Sequence, residues 1–318
     1  MKTFTSGIFS GVICAMALSS VCSAQTAFPA KPIELVVGHA AGGGTDVLAR
    51  DFAKAAVKFL SQPVIVMNKP GATAVIASTD VINSKPDGYK MLMLDSNVVI
   101  VPHVGLTKIT YEEFIPIARL NFDPSAITVR ADAPWNTVEE FLAAAKNGGI
   151  RVGNGGNGSI WHLAAAGLED KTGVKFNHIP FNGAAPAILS LLGGHIEAIA
   201  VSAAEVHSYT TSGKMKILAV MSDQRIKGFE KIPTLKERKI DFSVGAWRGL
   251  AVVKGTPPEI VNALRTVTAK IVNEPGLREA MERQNMGYAY ADADEFSVAI
   301  AKDHVFYKGL IDKLGLKQ

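Results

Sequence analysis

Leu35-Val36-Val37-Gly38-His39-Ala40-Ala41-Gly42-Gly43-Gly44-Thr45-Asp46 places three apolar residues before a glycine run and two helix-capping residues. It reads as a strand, a tight glycine loop and a helix start. Downstream, Leu48, Phe52, Ala55, Ala56 and Phe59 recur at helical spacing. A second strand follows at Val64–Met67, within an apolar run from Pro63, and Pro70-Gly71-Ala72 then opens another helix.

The same order returns further along. Ile150–Val152 reads as a strand, Gly153–Gly158 as a glycine loop, then a helix, a strand at Val174–Ile179, and Asn182-Gly183-Ala184 opening a helix. Gly43 to Gly71 is 28 residues and Gly156 to Gly183 is 27. Two similarly built lobes would aim their glycine loops and helix starts at one point, although any βαβ chain repeats at about 30 residues. Further strands are expected at Ile33–Val37, Tyr89–Leu94, Ile127–Val129, Ile196–Val201, Ile217–Met221 and Leu250–Val253. Thr137 with Glu140 is a capping box, and Pro186 and Pro258 suit first helical turns. Ile260, Leu264, Val267 and Ile271 form an apolar stripe. Alternating strands and helices predict an α/β fold with mainly parallel sheets.

The first loop is an anion site by construction, because glycines admit a ligand to the backbone and a helix start offers free N–H groups. Thr45 and Asp46 also serve as ordinary helix caps. His39 is open between ligand contact and loop structure. The second loop, Gly153-Asn154-Gly155-Gly156-Asn157-Gly158-Ser159, contains the G-x-G-x-x-G spacing of dinucleotide sites. The acidic residue needed at the end of the next strand is missing, because Glu169 and Asp170 come too early. His162, one turn into the helix, either faces a ligand or packs at the helix start. No Gly-x-Ser-x-Gly elbow and no metal spacing among the seven histidines is present, so no catalytic residue, metal or cofactor is expected.

The chain has 318 residues, 48% hydrophobic and 19% charged, with 29 Gly and 15 Pro. At roughly 100–200 residues per domain this suggests two domains with sizeable cores, and it excludes disorder, collagen and a small disulfide scaffold. The net charge of +4 carries no basic block, which argues against nucleic acid as a partner but suits anionic small ligands. Residues 1–24 read as a signal peptide: Lys2, an apolar or small run from Gly7 to Val21, and Cys22-Ser23-Ala24 before a cut. That run is short of the roughly 20 residues that span a bilayer. Both cysteines, Cys14 and Cys22, fall in the removed segment, so the secreted chain would hold no disulfide.

Phe28-Pro29-Ala30-Lys31-Pro32-Ile33, Ala41-Gly42-Gly43-Gly44-Thr45-Asp46 with Ala49-Arg50, Asn68-Lys69-Pro70-Gly71-Ala72 and Lys85-Pro86-Asp87-Gly88-Tyr89 stand in that order. Gly158-Ser159 with His162-Leu163-Ala164, Leu191-Leu192-Gly193-Gly194, Ser212-Gly213-Lys214, Leu218-Ala219-Val220, Pro233-Thr234-Leu235 and Gly255-Thr256-Pro257-Pro258 follow. Together they resemble the Bug family, the substrate-binding proteins of tripartite tricarboxylate transporters. The resemblance implies a periplasmic, two-lobe Venus flytrap of type II with a mainly parallel sheet in each lobe. It implies lobe one over residues 27–122 and 248–318, lobe two over 123–247, and hinges near Phe122–Ser125 and Ala246–Arg248.

The resemblance further implies a non-catalytic monomer that captures a small di- or tricarboxylate and delivers it to the membrane subunits of its transporter. One carboxylate end would be gripped by loop N–H groups and water rather than by an arginine. By position, the cleft would draw on His39, Ala40, Ala41, Gly42, Gly43, Gly44, Thr45, Asp46, Ser96 and Asn97. From lobe two it would draw on Gly155, Gly156, Asn157, Gly158, Ser159, His162, Phe181, Asn182, Gly183, Ser202 and Ala203, with Trp247 near the crossing. His39 replaces the usual Phe, and Thr73-Ala74 a usual Gly-Gly. Val201-Ser202 stands where amino-acid-binding members have Asp-Asn, so no carboxylate is expected there for an ammonium group. The other reading is a secreted α/β enzyme that binds a phosphate or nucleotide through the glycine loops.

Overall fold

The structure, a computed structural model, describes Met1 and residues 28–317. The signal-peptide reading and both cysteines lie outside the described residues. The first strand, β1 (Ile33–Val37), shows how the layers form. Ile33, Leu35 and Val37 bury into one core with Leu48 and Phe52 of α1 (Gly44–Ala56), while Val36 buries into another with Val81 of α2 (Val75–Ile82). Successive strand side chains point to opposite faces. A strand apolar on both is therefore covered on both.

β2 (Val64–Asn68) and β3 (Lys90–Asp95) flank β1 in parallel. Next to β3 comes β9 (Gly245–Val253), antiparallel, then β4 (Phe114–Arg130), with β10 (Tyr288–Ala291) antiparallel to β4. Helices α1, α7 (Pro258–Val272) and α8 (Pro275–Arg283) cover one face of this sheet. A second sheet uses the far half of β4, which pairs antiparallel with β7 (Ala198–Ser202) on one side and β8 (Met215–Val220) on the other. β5 (Arg151–Asn154) lies parallel to β7, and β6 (Asn177–Pro180) parallel to β5. Helices α3 (Val138–Ala145), α4 (Ile160–Thr172), α5 (Ala184–Leu192) and α6 (Ala203–Thr211) contribute to its core. In each sheet most strands run one way. The exceptions are β9 and β10 in the first and β4 in the second.

The expected repeat is present: strand, glycine loop, helix and parallel strand occur as β1–α1–β2 and as β5–α4–β6. The sequence reading missed β10 and most of β4, whose expected part was Ile127–Val129. Pro116, Asn121, Asp123 and Pro124 disguise that strand, and the ladder accommodates them with register shifts between Pro116 and Ala118 and between Arg119 and Asn121. β9 likewise begins at Gly245 rather than Leu250.

β4 and β9 are the two strands that cross between the sheets, and they pair with each other. Phe122 faces Trp247, Asp123 faces Ala246 and Asn121 faces Arg248. The ladder therefore runs unbroken from one sheet to the other through β4. The core is not cleanly divided either. The larger apolar cluster joins the second sheet to Val98–Ile100 and to Phe296, Ile300 and Tyr307 of α9 (Ala293–Leu314). No helix among the described residues is long and apolar enough to cross a membrane.

Candidate functional site

Three helices start at one point. α1 begins at Gly44 behind its glycine loop, α4 at Ile160 behind Ser159, and α5 at Ala184 behind Gly183. Each helix start carries N–H groups without a partner in its own helix and the positive end of a helix dipole. Between them lies a cavity of about 20 Å³, which has room for about one water molecule. It is lined by His39, Gly43, Gly44, Thr45, Ser96, Asn97, Gly155, Ser159 and Gly183. Asp95, Ile160, Trp161, Ala184, Glu205, Ala246 and Arg248 also line it, and none of these was singled out for the cleft from sequence.

The walls meet through hydrogen bonds between segments distant in sequence. Ala40 N–H donates to the Asn182 carbonyl at 3.0 Å, and Ile160 N–H to Asn97 Oδ1 at 2.9 Å. Thr73 Oγ1 donates to the Asn157 carbonyl at 2.8 Å. Two glycines permit this closeness. A Cβ on Gly44 would sit 2.8 Å from Glu205 Oε1 and 2.9 Å from Arg248 Nη2. One on Gly156, whose φ is +124°, would sit 2.8 Å from Thr73 Oγ1. Thr73 and Ala74 have φ of 54° and 70°, a left-handed conformation natural to glycine.

Arg248 is the cation of the site. It is 2% exposed, inside an otherwise uncharged strand. Nη1 donates to Asp123 Oδ2 at 2.6 Å, Nε to Thr45 Oγ1 at 2.9 Å, and Nη2 reaches Glu205 Oε1 at 3.5 Å. Burial alone would lower its pKa, but Glu205, Asp123 and Asp95 together raise it, so it stays charged. Asp123 is pushed up by burial, against the pull of Arg248. His39 Nε2 lies 2.6 Å from Asp95 Oδ2. Burial works to raise the Asp95 carboxyl, yet His39, the Asn97 N–H and Arg248 hold it below the usual range.

Glu205 was missed, although Ser202 and Glu205 form the capping box of α6 and the Ser-x-x-Glu spacing shows it. One carboxylate oxygen serves that box, and Oε1 accepts the Gly44 N–H at 2.8 Å. At Val201 itself there is no carboxylate, but Glu205 places one a turn further on, in the cavity wall. The resemblance implied a grip by N–H groups and water rather than by an arginine; a buried Arg248, paired with Asp123, stands in the cavity wall. Its signal in sequence was a charge inside the apolar run Val244–Val253.

The remaining expected residues stand at different places. Gly156, Asn157, Phe181 and Asn182 line a neighbouring, open pocket of about 430 Å³ with Thr73 and Leu106. Ala40, Ala41, Gly42 and Asp46 shape loop one without lining the cavity, Asp46 accepting from Gly42 N–H and Arg50. Ser202 is turned to Glu205, and Ala203 lines a pocket on another side, with Phe122 and Tyr288. His162 packs beneath loop two, accepting the Gly158 N–H at Nδ1 and standing edge-on to His178. Burial and the neighbouring His178 lower its pKa to about 4. Trp247 is core: its indole N–H donates to Asp303 and its ring packs on Phe296. The Ser96 hydroxyl is fully buried and bonded to nothing among the described residues.

The family model for the tripartite tricarboxylate transporter family receptor matches residues 48–316. The UPF0065 protein in the gbd 5′ region of Cupriavidus necator is 35% identical over 297 residues, 91% of this chain and 89% of that protein. A TctC solute-binding protein from Polaromonas, whose crystal structure is described as having no ligand, is 71% identical. The match covers 90% of this chain and 99% of that one, with a TM-score of 0.67. The periplasmic binding protein BugD is 30% identical over 91% of this chain and 99% of its own, with a TM-score of 0.87. The fold is that of a two-lobe periplasmic binding protein, and the chain belongs to the tripartite tricarboxylate transporter family of receptors.

Proposed function

We propose that this receptor captures a small di- or tricarboxylate between two lobes and hands it to the membrane subunits of a tripartite tricarboxylate-type transporter. The observation that carries this reading is the convergence of the α1, α4 and α5 N-termini on one cavity, beside Arg248 and the unbonded Ser96 hydroxyl. Buried polar groups are nearly always hydrogen-bonded. An unbonded hydroxyl beside three helix N-termini suits a ligand oxygen. Charge-assisted hydrogen bonds are worth about 1.5–3 kcal/mol each, so two or three N–H groups hold a carboxylate well.

Lobe one comprises residues 27–122 and 248–318 and lobe two 123–247, hinged where Phe122 faces Trp247. The cavity of about 20 Å³ admits no dicarboxylate until the lobes part or side chains withdraw. The superpositions support such movement. A protein 71% identical fits this chain less well than one 30% identical, which is the pattern of rigid lobes rotating rather than of sequence divergence. The mature chain starts near Gln25, acts in the periplasm as a monomer, and performs no catalysis.

A thermal-shift screen of succinate, malate, citrate and adipate against nucleotides and inorganic phosphate tests the reading. A ligand that binds only the folded state raises its melting temperature. A carboxylate should give the largest rise. A rise with nucleotides alone would contradict the proposal.

A further inference from the structure

The carboxylate seat at the head of α1 already faces a carboxylate of the chain's own. Glu205 Oε1 accepts the first N–H of the helix, from Gly44, and lies 3.5 Å from Arg248 Nη2. Its side chain is 4% exposed. Its other oxygen is anchored by the Ser202 hydroxyl at 3.1 Å, so the group is held in place from α6 while it reaches α1. The cavity has no room for a second carboxylate beside it. Two carboxylates that shared this site would also repel in a poorly solvated space.

We propose that Glu205 is a built-in competitor for the ligand: it latches the two lobes through Gly44 and Arg248, and a carboxylate binds by expelling it. This rests on the carboxylate-capturing reading above. The device selects ligands. A weak monocarboxylate cannot displace an anchored carboxylate held at high local concentration. A di- or tricarboxylate gains further contacts, at Ser96 and the α4 and α5 starts, that offset the displacement. Glu205 also ties lobe closure to occupancy of the seat by a carboxylate of either origin.

Glu205→Gln retains the capping geometry at Ser202 while removing the charge, since Gln serves in capping boxes as Glu does. Glu205→Ala removes the competitor entirely, and circular dichroism checks that both fold. Calorimetry compares succinate, malate and citrate on the wild type and both variants. Whichever binds the wild type should bind Glu205→Gln about tenfold more tightly, and Glu205→Ala at least as tightly as that. Equal or weaker binding to both would overturn the proposal, and weaker binding would make Glu205 a partner of the ligand instead. Small-angle scattering in buffer alone supplies the second arm. The variants should have a larger radius of gyration than the wild type, and saturating acetate should reverse this in Glu205→Ala. Equal dimensions would overturn the latch even if no carboxylate of the three bound, an outcome that would separately sink the proposed ligand class.

Discussion

Glu205 Oε1 accepts a hydrogen bond from the Gly44 backbone N–H at 2.8 Å, across 161 residues of sequence. This bond joins α6 of one sheet to α1 of the other at the point where a ligand carboxylate would be held. It depends on the missing side chain of Gly44.

Gly44→Ala should therefore weaken both binding and stability. Alanine suits a first helical position, but its Cβ would press on Glu205 and Arg248. Calorimetry with the tightest carboxylate should show a loss of about tenfold or more, and the melting temperature should fall as the Glu205–Gly44 bond is lost. Unchanged affinity would mean that the head of α1 is not the seat.

Ser96→Ala should act in opposite directions on the two properties. The unbonded hydroxyl is a liability in the folded chain, because a buried unsatisfied group costs about 1–3 kcal/mol. Its removal should raise the midpoint of urea unfolding and weaken carboxylate binding by about tenfold. A fall in both would assign Ser96 to structure alone.

Arg248→Met should destabilise the protein by about 3–5 kcal/mol, because it leaves Asp123 and Glu205 charged and buried without their cation. Adding Asp123→Asn should recover part of the loss. A double variant as unstable as the single one would contradict the ion pair's role.

The pH dependence has a defined sign at His162. Folded, it titrates at about 4, because burial and the neighbouring His178 disfavour its charge. Unfolded, it titrates near 6.5. Above pH 6.5 the group costs nothing. As the pH falls from 6.5 to 4 the unfolded chain takes up the proton first, and stability falls by at most about 1.4 kcal/mol per pH unit. His162→Asn keeps an acceptor for the Gly158 N–H and should flatten this slope in urea titrations between pH 7 and 4.5. The same slope in both proteins would show that His162 is not its source.

The layers of this fold were legible wherever apolar period and glycine punctuation agreed, as at Ile33–Val37 followed by Gly42–Gly44. They were illegible along Phe114–Asn121, where Pro116 and polar residues hide a strand that tertiary pairing with β9 and β10 maintains. The site shows the same division. Loop backbones at Gly43, Gly44 and Gly155 could be placed from glycine spacing, since their role needs no side chain. Glu205 and Arg248 could not be joined from sequence: one caps its own helix and the other sits in a buried strand, and 43 residues separate them. Trp247 carried a conspicuous side chain and belongs to the core. A strand's alternation decides which neighbour faces the cavity, and here it chose Ala246 and Arg248.

The central claim is that backbone N–H groups at converging helix starts grip a ligand carboxylate. Calorimetry of the tightest dicarboxylate against its monoamide and its dimethyl ester tests it most directly. The account predicts that the diacid binds tightest, that the monoamide loses at least about tenfold, and that the diester gives no measurable heat. A diester that bound as well as the diacid would contradict it.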